Sequence, residues 1–124
     1  MLATQAAIGR ATGVVCHDWR PHYFEADEGV RSALGESGLV EIGCSIAPED
    51  YHWPAERSAA YVLKRLRPGA IVDMHDGRPP QSGSERTRAE TVEALDLILR
   101  EMKRRNLHSV QISELPALEI RSAT

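Results

Sequence analysis

Apolar and polar residues follow one another along this chain in an order that predicts alternating helices and strands. Helices are predicted where the sequence is alanine-rich or where apolar side chains recur every three or four residues: residues 2–11, 25–36, 55–66 and 85–105. Strands are predicted at short apolar runs near glycine or proline: residues 14–16, 39–46, 70–74 and 109–112. This regular alternation predicts an α/β fold with a parallel sheet and right-handed crossovers.

The last predicted helix has the clearest periodicity. Its expected core stripe runs through Val92, Leu95, Ile98, Leu99 and Met102. Ser84 and Thr87 are candidate caps for its start, after a loop at residues 78–84. Asn106 is expected to end the helix in a left-handed conformation, because asparagine tolerates that region better than most residues.

The chain has the length of one domain, and we expect residues 1–124 to form a single domain or a piece of one. The first ten residues resemble the tail of a helix without an N-cap, which predicts truncation at Met1. They also lack the basic and continuous apolar regions of a secretion signal. Cys16 and Cys44 fall in predicted strands, where free thiols are more common than a disulfide in a chain with few cysteines, and their bonding stays open.

The composition of the chain limits the kinds of binding partner that we expect. Hydrophobic residues make up 42% and charged residues 27%, which is typical of a globular chain and indicates neither disorder nor a membrane span. The formal net charge is -3, and the basic run at residues 103–105 sits at a predicted helix end, where cations complement the helix dipole. Nucleic acid is therefore not an expected partner.

Three polar clusters directly follow apolar runs that predict strands. They occupy residues 20–23 (RPHY), 49–53 (EDYHW) and 74–77 (MHDG). The carboxyl ends of parallel strands meet at one edge of a sheet, so side chains just beyond them converge on one crevice. The sequence therefore predicts an active-site rim.

His75 is the strongest candidate catalytic residue, because histidine exchanges protons near neutral pH. Asp50 is a candidate hydrogen-bond partner that would favour the imidazolium and let it act as a general acid, and Asp76 competes for that role. Arg20 could orient a carboxylate through its planar guanidinium. The alternatives are a histidine that only satisfies a backbone carbonyl and an arginine that is an ordinary surface residue.

Aromatic residues lie in the same clusters. Trp19, Tyr23 and Trp53 could form a wall for a sugar ring or an acyl methyl group, or could simply pack over the mouth of the fold. The histidines of these loops lack the spacing of a helical pair, and there is no Cys-x-x-Cys motif, so the sequence predicts no metal site of its own. It also contains no phosphate loop and no serine nucleophile elbow.

Taken together, the clusters resemble the carboxyl-terminal half of the polysaccharide deacetylase family, the NodB homology domain. Residues 19–23 (WRPHY) are similar to the family's Arg-Pro-Pro-Tyr-Gly motif, and residues 49–51 (EDY) to its Asp-Trp motif. Residues 67–76 (RPGAIVDMHD) are similar to its Pro-Gly-x-Ile-x-Leu-x-His-Asp motif. The long helix and residues 109–115 resemble its closing elements.

The resemblance implies a partial (β/α) barrel of about four parallel strands alternating with four helices. It also implies metal-dependent hydrolysis of N- or O-acetyl groups on a glycan, usually with zinc, and an acetylated oligosaccharide as partner. By the same resemblance His75 would be the general acid, Asp50 its tuning partner and Arg20 the residue that orients the base. Met74 and Tyr51 would line the acetate pocket, and Tyr23 and Trp53 remain candidate substrate contacts.

The chain departs from the family in one large respect. The Thr-Phe-Asp-Asp-Gly and His-x-x-x-His segments, which supply the base and the metal ligands, have no counterpart here. We therefore expect no zinc on this chain alone and little or no activity. The open edge of a half-barrel predicts a second copy or a complementing chain. The alternatives are a non-catalytic carbohydrate-binding or dimerising module and one half of a split deacetylase.

Overall fold

The computed structural model describes residues 2–77 and 88–115. These residues contain four α-helices and two short strands: α1 (Leu2–Thr12), β1 (Asp18–Trp19), α2 (Glu28–Ser37), β2 (Val40–Glu41), α3 (Ala55–Arg65) and α4 (Ala89–Arg104). The chain divides into two compact units, Met1–Gly43 and Cys44–Thr124. The fold is thus a partial α/β fold, as the alternating pattern predicts, with shorter strands than expected.

The first unit is built around the parallel pair β1–β2. Asp18 pairs with Val40, and the Val40 N–H donates to the carbonyl of His17 at 2.8 Å. The prediction of a strand at residues 14–16 is wrong, because Val14 and Val15 are 58% and 65% exposed and the ladder begins only at His17. Apolar character alone placed this strand too early, since backbone pairing rather than side-chain type defines it.

Helix α2 shows how local chemistry sets its ends. Asp27 is the N-cap, and its carboxylate accepts a hydrogen bond of 2.8 Å from the Val30 N–H. The helix therefore begins at Glu28 rather than at the predicted residue 25. It ends at Gly38, whose φ of 67° is left-handed and suits glycine.

The second unit has one parallel bridge, between Ile46 and Val72. The Asp73 N–H donates to the Ile46 carbonyl at 2.9 Å, and the Ile46 N–H donates to the Ile71 carbonyl at 3.1 Å. The predicted strands at 39–46 and 70–74 are therefore present only as short paired stretches, in β2 and at this bridge. Even so, the bridge fixes the two chain segments that lead into residues 50 and 75.

Helices α3 and α4 pack against each other and form the core of this unit. The buried cluster comprises Ile46, Ala55, Ala59, Val62, Ala94 and Ile98. The predicted core stripe of α4 is wrong in part, because Ile98 is 3% exposed whereas Leu99 is 47% exposed. Thr91 and Ala94 line the buried face together with Ile98, and Ala94 and Ile98 share a buried cluster with Ala59 of α3.

The end of α4 follows the sequence prediction. Asn106 has a φ of 56°, and the Leu107 N–H donates to the Met102 carbonyl at 2.8 Å. The predicted strand at 109–112 is wrong, because Ile112–Glu114 form a 3-10 turn in which the Gln111 N–H donates to the Glu114 carboxylate at 2.7 Å. A local capping interaction takes the place of strand pairing.

Several further predictions concern residues 78–87. The loop at 78–84, the caps Ser84 and Thr87, and the start of the last helix before residue 88 lie outside the described residues. Cys16 and Cys44 are half-buried and form no disulfide with each other, and neither lies in β1 or β2. In residues 2–77 and 88–115, no helix combines the length and apolar character needed to cross a membrane.

Candidate active site

The Asp50 carboxylate is the centre of the candidate site. Its side chain is 0% exposed, and it lies in the turn that follows the bridge residue Ile46. Oδ2 accepts hydrogen bonds from the His75 backbone N–H at 3.0 Å and from the Thr91 hydroxyl at 2.9 Å. Oδ1 is 2.8 Å from the imidazole Nδ1 of His75. A carboxylate this deeply buried needs such donors, because each one offsets part of the desolvation cost.

His75 is the partner of Oδ1 in this hydrogen bond and remains accessible to solvent, with 41% of its side chain exposed. An ionised carboxylate only accepts hydrogen bonds, so Nδ1 is the donor in the pair with Asp50. The ring nitrogen that is left for a substrate is therefore Nε2. Asp50, rather than Asp76, is the carboxylate that contacts the imidazole, and this decides between the two partners that the sequence left open.

The aromatic residues of the 49–53 segment differ in their contacts. The Tyr51 ring meets the His75 ring edge to face, with centroids 4.8 Å apart. The Arg57 guanidinium lies over the Trp53 ring at 4.3 Å from its centroid, and the Tyr61 ring contacts Trp53 at 5.3 Å. One face of Trp53 is thus covered by the chain itself, whereas Tyr51 is in direct contact with the histidine.

Met74 is half-buried and packs against the hydrophobic cluster between α3 and α4. It therefore supports the backbone of the residue that follows it, His75. The predicted site residues of this unit thus come together in two groups. His75, Asp50 and Tyr51 are in mutual contact around the imidazole, while Met74 and Trp53 belong to the neighbouring packing.

Two residues at the start of α4 also reach this site, and neither is among the site residues that the sequence predicts. Thr91 donates to Asp50, and the Arg88 guanidinium donates to the backbone carbonyl of Gly77. The Arg88 Nε is buried and has no hydrogen-bond partner. A signal for Thr91 was present, because it shares the helical register of Ala94 and Ile98 and so continues the buried face.

Arg20 and Tyr23 lie in the first unit. The Arg20 guanidinium donates to the backbone carbonyls of Ile42 and Gly43, at 3.3 and 3.5 Å, and its Cζ lies 5.5 Å from the Phe24 ring centroid. Tyr23 is 68% exposed and has a left-handed φ of 55°. Arg20 is therefore tied to the backbone just after β2, and Tyr23 presents an exposed ring.

The described residues do not fit a metal site. Residues 2–77 and 88–115 contain no group of three or more histidine, cysteine, aspartate or glutamate side chains placed to hold an ion. The chemistry available to this part of the chain is that of a carboxylate–imidazole pair on a parallel α/β scaffold, which is the equipment of a general acid or base.

Comparison with known proteins identifies relatives that are enzymes, which agrees with a general acid or base at this site. No protein-family model matches the sequence. The chain is 34% identical over 121 residues to a chitooligosaccharide deacetylase of Bradyrhizobium sp. (strain ANU 289), covering 88% of this chain and 53% of the relative. It is 34% identical over 106 residues to the chitooligosaccharide deacetylase of Rhizobium leguminosarum bv. phaseoli, covering 80% of this chain and 46% of the relative. The chain thus spans about half the length of these curated relatives.

Solved structures that resemble this chain are also deacetylases or members of a carbohydrate esterase family, again matched over about half of their length or less. The Bc1960 peptidoglycan N-acetylglucosamine deacetylase has a TM-score of 0.77 at 22% identity, covering 92% of this chain and 51% of that one. A family 4 carbohydrate esterase from Streptomyces lividans, in complex with acetate, has a TM-score of 0.71 at 27% identity, covering 88% and 52%. BA3943 of Bacillus anthracis, a CE4 family pseudoenzyme, has a TM-score of 0.75 at 23% identity, covering 92% and 37%.

The chain is therefore similar to polysaccharide deacetylases over about half of their length and has a NodB-like deacetylase fold, which confirms the resemblance seen in its three clusters. The described residues of this chain form part of the α/β architecture whose complete form is a (β/α) barrel. A pseudoenzyme shares the same fold, so the fold does not by itself establish activity.

Proposed function

We propose that this chain is the carboxyl-terminal half of a polysaccharide deacetylase domain and that it provides the acid side of the hydrolysis of an N- or O-acetyl group on a glycan. The observation that carries the proposal is the pair formed by His75 and Asp50. A fully buried carboxylate holds Nδ1 of a half-exposed imidazole at 2.8 Å, which leaves Nε2 to act on a substrate.

In the proposed reaction, a water oxygen bonds to the acetyl carbon and the bond from that carbon to the glycan nitrogen or oxygen breaks. The leaving atom takes a proton from Nε2 of His75, and the proton that the water releases restores the imidazolium. Asp50 stabilises the positive charge of the ring while both nitrogens carry protons. The products are acetic acid, which releases a proton to the solvent to become acetate, and a glycan with a free amine or hydroxyl group.

Other residues have narrower proposed roles. Tyr51, which touches the His75 ring, is placed to line a pocket for the acetyl methyl group. Met74 supports that pocket from the core. Trp53 in the second unit and Tyr23 in the first are each proposed separately as an aromatic contact for a sugar. For Arg20 we retain the role of orienting the catalytic base, which the family resemblance implies. Its backbone hydrogen bonds hold it at the carboxyl end of β2.

The family resemblance also implies a divalent metal, usually zinc, and the described residues offer it no site. We therefore assign no metal-dependent step to them. The ligands and the base belong in this proposal to a complementing segment or chain, and turnover by this chain alone is expected to be weak or absent. As a rival function, a non-catalytic carbohydrate-binding or dimerising module uses the same aromatic residues without the histidine, and the similarity to a pseudoenzyme favours testing it.

A chimera tests the proposal. The region of the Bradyrhizobium chitooligosaccharide deacetylase that matches this chain is replaced by residues 1–124, and acetate release from an acetylated chitooligosaccharide is measured. We expect activity, and we expect His75→Gln to reduce it by about 10²–10⁴-fold, the typical contribution of general acid catalysis. The exposed His108 provides the matched control, because His108→Gln removes the same type of side chain away from the pair.

A folded chimera that releases no acetate contradicts the catalytic proposal, and so does a His75→Gln form as active as its parent. If that inactive chimera still binds the oligosaccharide, and His75→Gln leaves binding unchanged, the non-catalytic module is supported instead. Circular dichroism and gel filtration of every variant establish that the loss is not caused by misfolding.

A further inference from the structure

We propose that Thr91 is a positioning residue, whose hydroxyl holds the Asp50 carboxylate in the orientation that presents Oδ1 to the His75 imidazole. The inference deepens the proposed function, on which it rests for the catalytic role of the pair. The hydrogen-bond arrangement that it describes can be tested without measuring catalytic activity. It brings α4, a helix that carries none of the three polar clusters, into the candidate site.

The carboxylate has two oxygens and three donors, and the way they divide fixes its orientation. Oδ2 accepts from the Thr91 hydroxyl at 2.9 Å and from the His75 N–H at 3.0 Å, so both of its lone-pair positions are engaged. Oδ1 is then the oxygen left for Nδ1, at 2.8 Å. Rotation about the Cβ–Cγ bond of aspartate is broad and intrinsically soft, so the orientation depends on these donors.

The two donors on Oδ2 do different work. The His75 N–H belongs to the same residue as the imidazole. Any movement of this segment therefore moves the N–H and the imidazole together. Thr91 approaches from a separate element, 41 residues further along the chain. A third point of attachment from another element is what restricts the carboxylate to one plane relative to the ring.

The helix makes Thr91 a rigid donor. It lies in the first turn of the 16-residue helix α4 and is 8% exposed, and the next residues on the same face, Ala94 and Ile98, are 0% and 3% exposed in the core. The position of the hydroxyl is therefore set by helix–helix packing rather than by a loop. A buried hydroxyl also needs a partner, and Asp50 is that partner.

Arg88, one turn earlier, forms a second link between α4 and the same segment. Its guanidinium donates to the carbonyl of Gly77, two residues after His75. The start of α4 is thus bonded both to the partner of His75 and to the backbone that follows His75. Two independent hydrogen bonds at one helix end indicate that this helix end supports the histidine from both sides.

Two substitutions test the role of Thr91. Thr91→Val removes the hydroxyl and keeps the shape of the side chain, whereas Thr91→Ser restores the hydroxyl. The exposed Thr12 of α1, whose hydroxyl donates to the Ile8 carbonyl, provides the control Thr12→Val. Nitrogen-15 NMR of the full chain follows the Nδ1–H proton of the imidazole, assigned by its loss in His75→Gln, and its exchange with solvent.

We expect the Nδ1–H proton of Thr91→Val to exchange about tenfold faster than in the parent, since a hydrogen bond to a charged group is worth about one tenfold step or more. Thr91→Ser and Thr12→Val should exchange at the parent rate. In the active chimera, Thr91→Val should lower kcat about tenfold with KM unchanged, because it disturbs the acid and not the glycan contacts.

An unchanged Nδ1–H exchange rate in Thr91→Val overturns the inference, and so does a Thr91→Ser protein that exchanges as fast as Thr91→Val. Urea midpoints and backbone amide exchange in α3 are measured for all variants to separate this effect from general unfolding. Global destabilisation would lower the urea midpoint and accelerate amide exchange in α3 as well. If the NMR effect is present and the chimera is inactive, Thr91 positions the pair as inferred and it is the proposed function that fails.

Discussion

Replacing Asp50 with asparagine gives the most direct test of how the site is built. The carboxamide keeps the shape of the side chain but offers one oxygen and one NH2 group instead of two accepting oxygens. The oxygen can remain on the Oδ2 side, where the His75 N–H and the Thr91 hydroxyl both donate. The NH2 group then faces Nδ1, which must become an acceptor.

The expected cost follows from this exchange. One hydrogen bond to a buried charged group is lost, the two donors on Oδ2 now meet a neutral acceptor, and such charged bonds are worth about 1.5–3 kcal/mol each. We therefore expect Asp50→Asn to lower the free energy of unfolding by about 2–3 kcal/mol. The neutral imidazole should also change tautomer, with its proton on Nε2 instead of Nδ1.

Urea denaturation measures the stability change, and nitrogen-15 NMR of the imidazole reports the tautomer. Asp76→Asn is the matched control, because Asp76 adjoins His75 in sequence but is exposed, and surface changes usually stay within about 0.5 kcal/mol. The reasoning is refuted if Asp50→Asn keeps the proton on Nδ1, or if Asp76→Asn produces the larger loss of stability.

Three further outcomes follow from the packing, the backbone and the surface charges. Ile98→Ala should cost about 2–5 kcal/mol in urea denaturation, whereas Leu99→Ala, on the exposed side of α4, should cost far less; equal losses would contradict the observed helix face. Gly38→Ala should destabilise by about 1–2 kcal/mol because its φ is 67°, while Gly35→Ala, inside α2 and also in open space, should stabilise by about 0.5–1 kcal/mol; thermal denaturation giving the same sign for both would contradict this. The pKa of Glu101 is lowered to about 2, mainly by hydrogen bonds from the two arginines at the end of α4. The stability that this carboxylate contributes is therefore present above its ordinary pKa of 4.5 and is lost as the pH falls through about 2. An NMR titration that gives a pKa near 4.5 at low salt would refute the assignment.

Local sequence signals predicted the features that depend on neighbouring residues. Helix α3 begins at Ala55 as expected, and Gly38 and Asn106 end α2 and α4 in left-handed conformations. These features follow from capping and from intrinsic backbone preferences, which act over three or four residues. Strands were predicted less well, because the exposed Val15 has a strand-like side chain but no pairing partner.

The candidate site shows the same division. The sequence placed Asp50 and His75 just beyond two apolar runs, and the bridge between Ile46 and Val72 brings those runs side by side. It could not choose between Asp50 and Asp76, since both are available to a histidine in an unfolded chain. The choice depends on burial, because only Asp50 lies where the chain encloses it and where other donors stabilise its charge.

The sequence by itself determined the resemblance to polysaccharide deacetylases, the alternating α/β order and the polar clusters that carry the proposed chemistry. Tertiary structure decided which groups touch. His75 meets a carboxylate 25 residues away, and that carboxylate is held by a hydroxyl 41 residues away from it. The first contact depends on the bridge between Ile46 and Val72, and the second depends on the packing of α4, which buries the small Ala94 and leaves the larger Leu95 exposed. Periodicity can identify a helix, but the face that it buries depends on the shape of its partner.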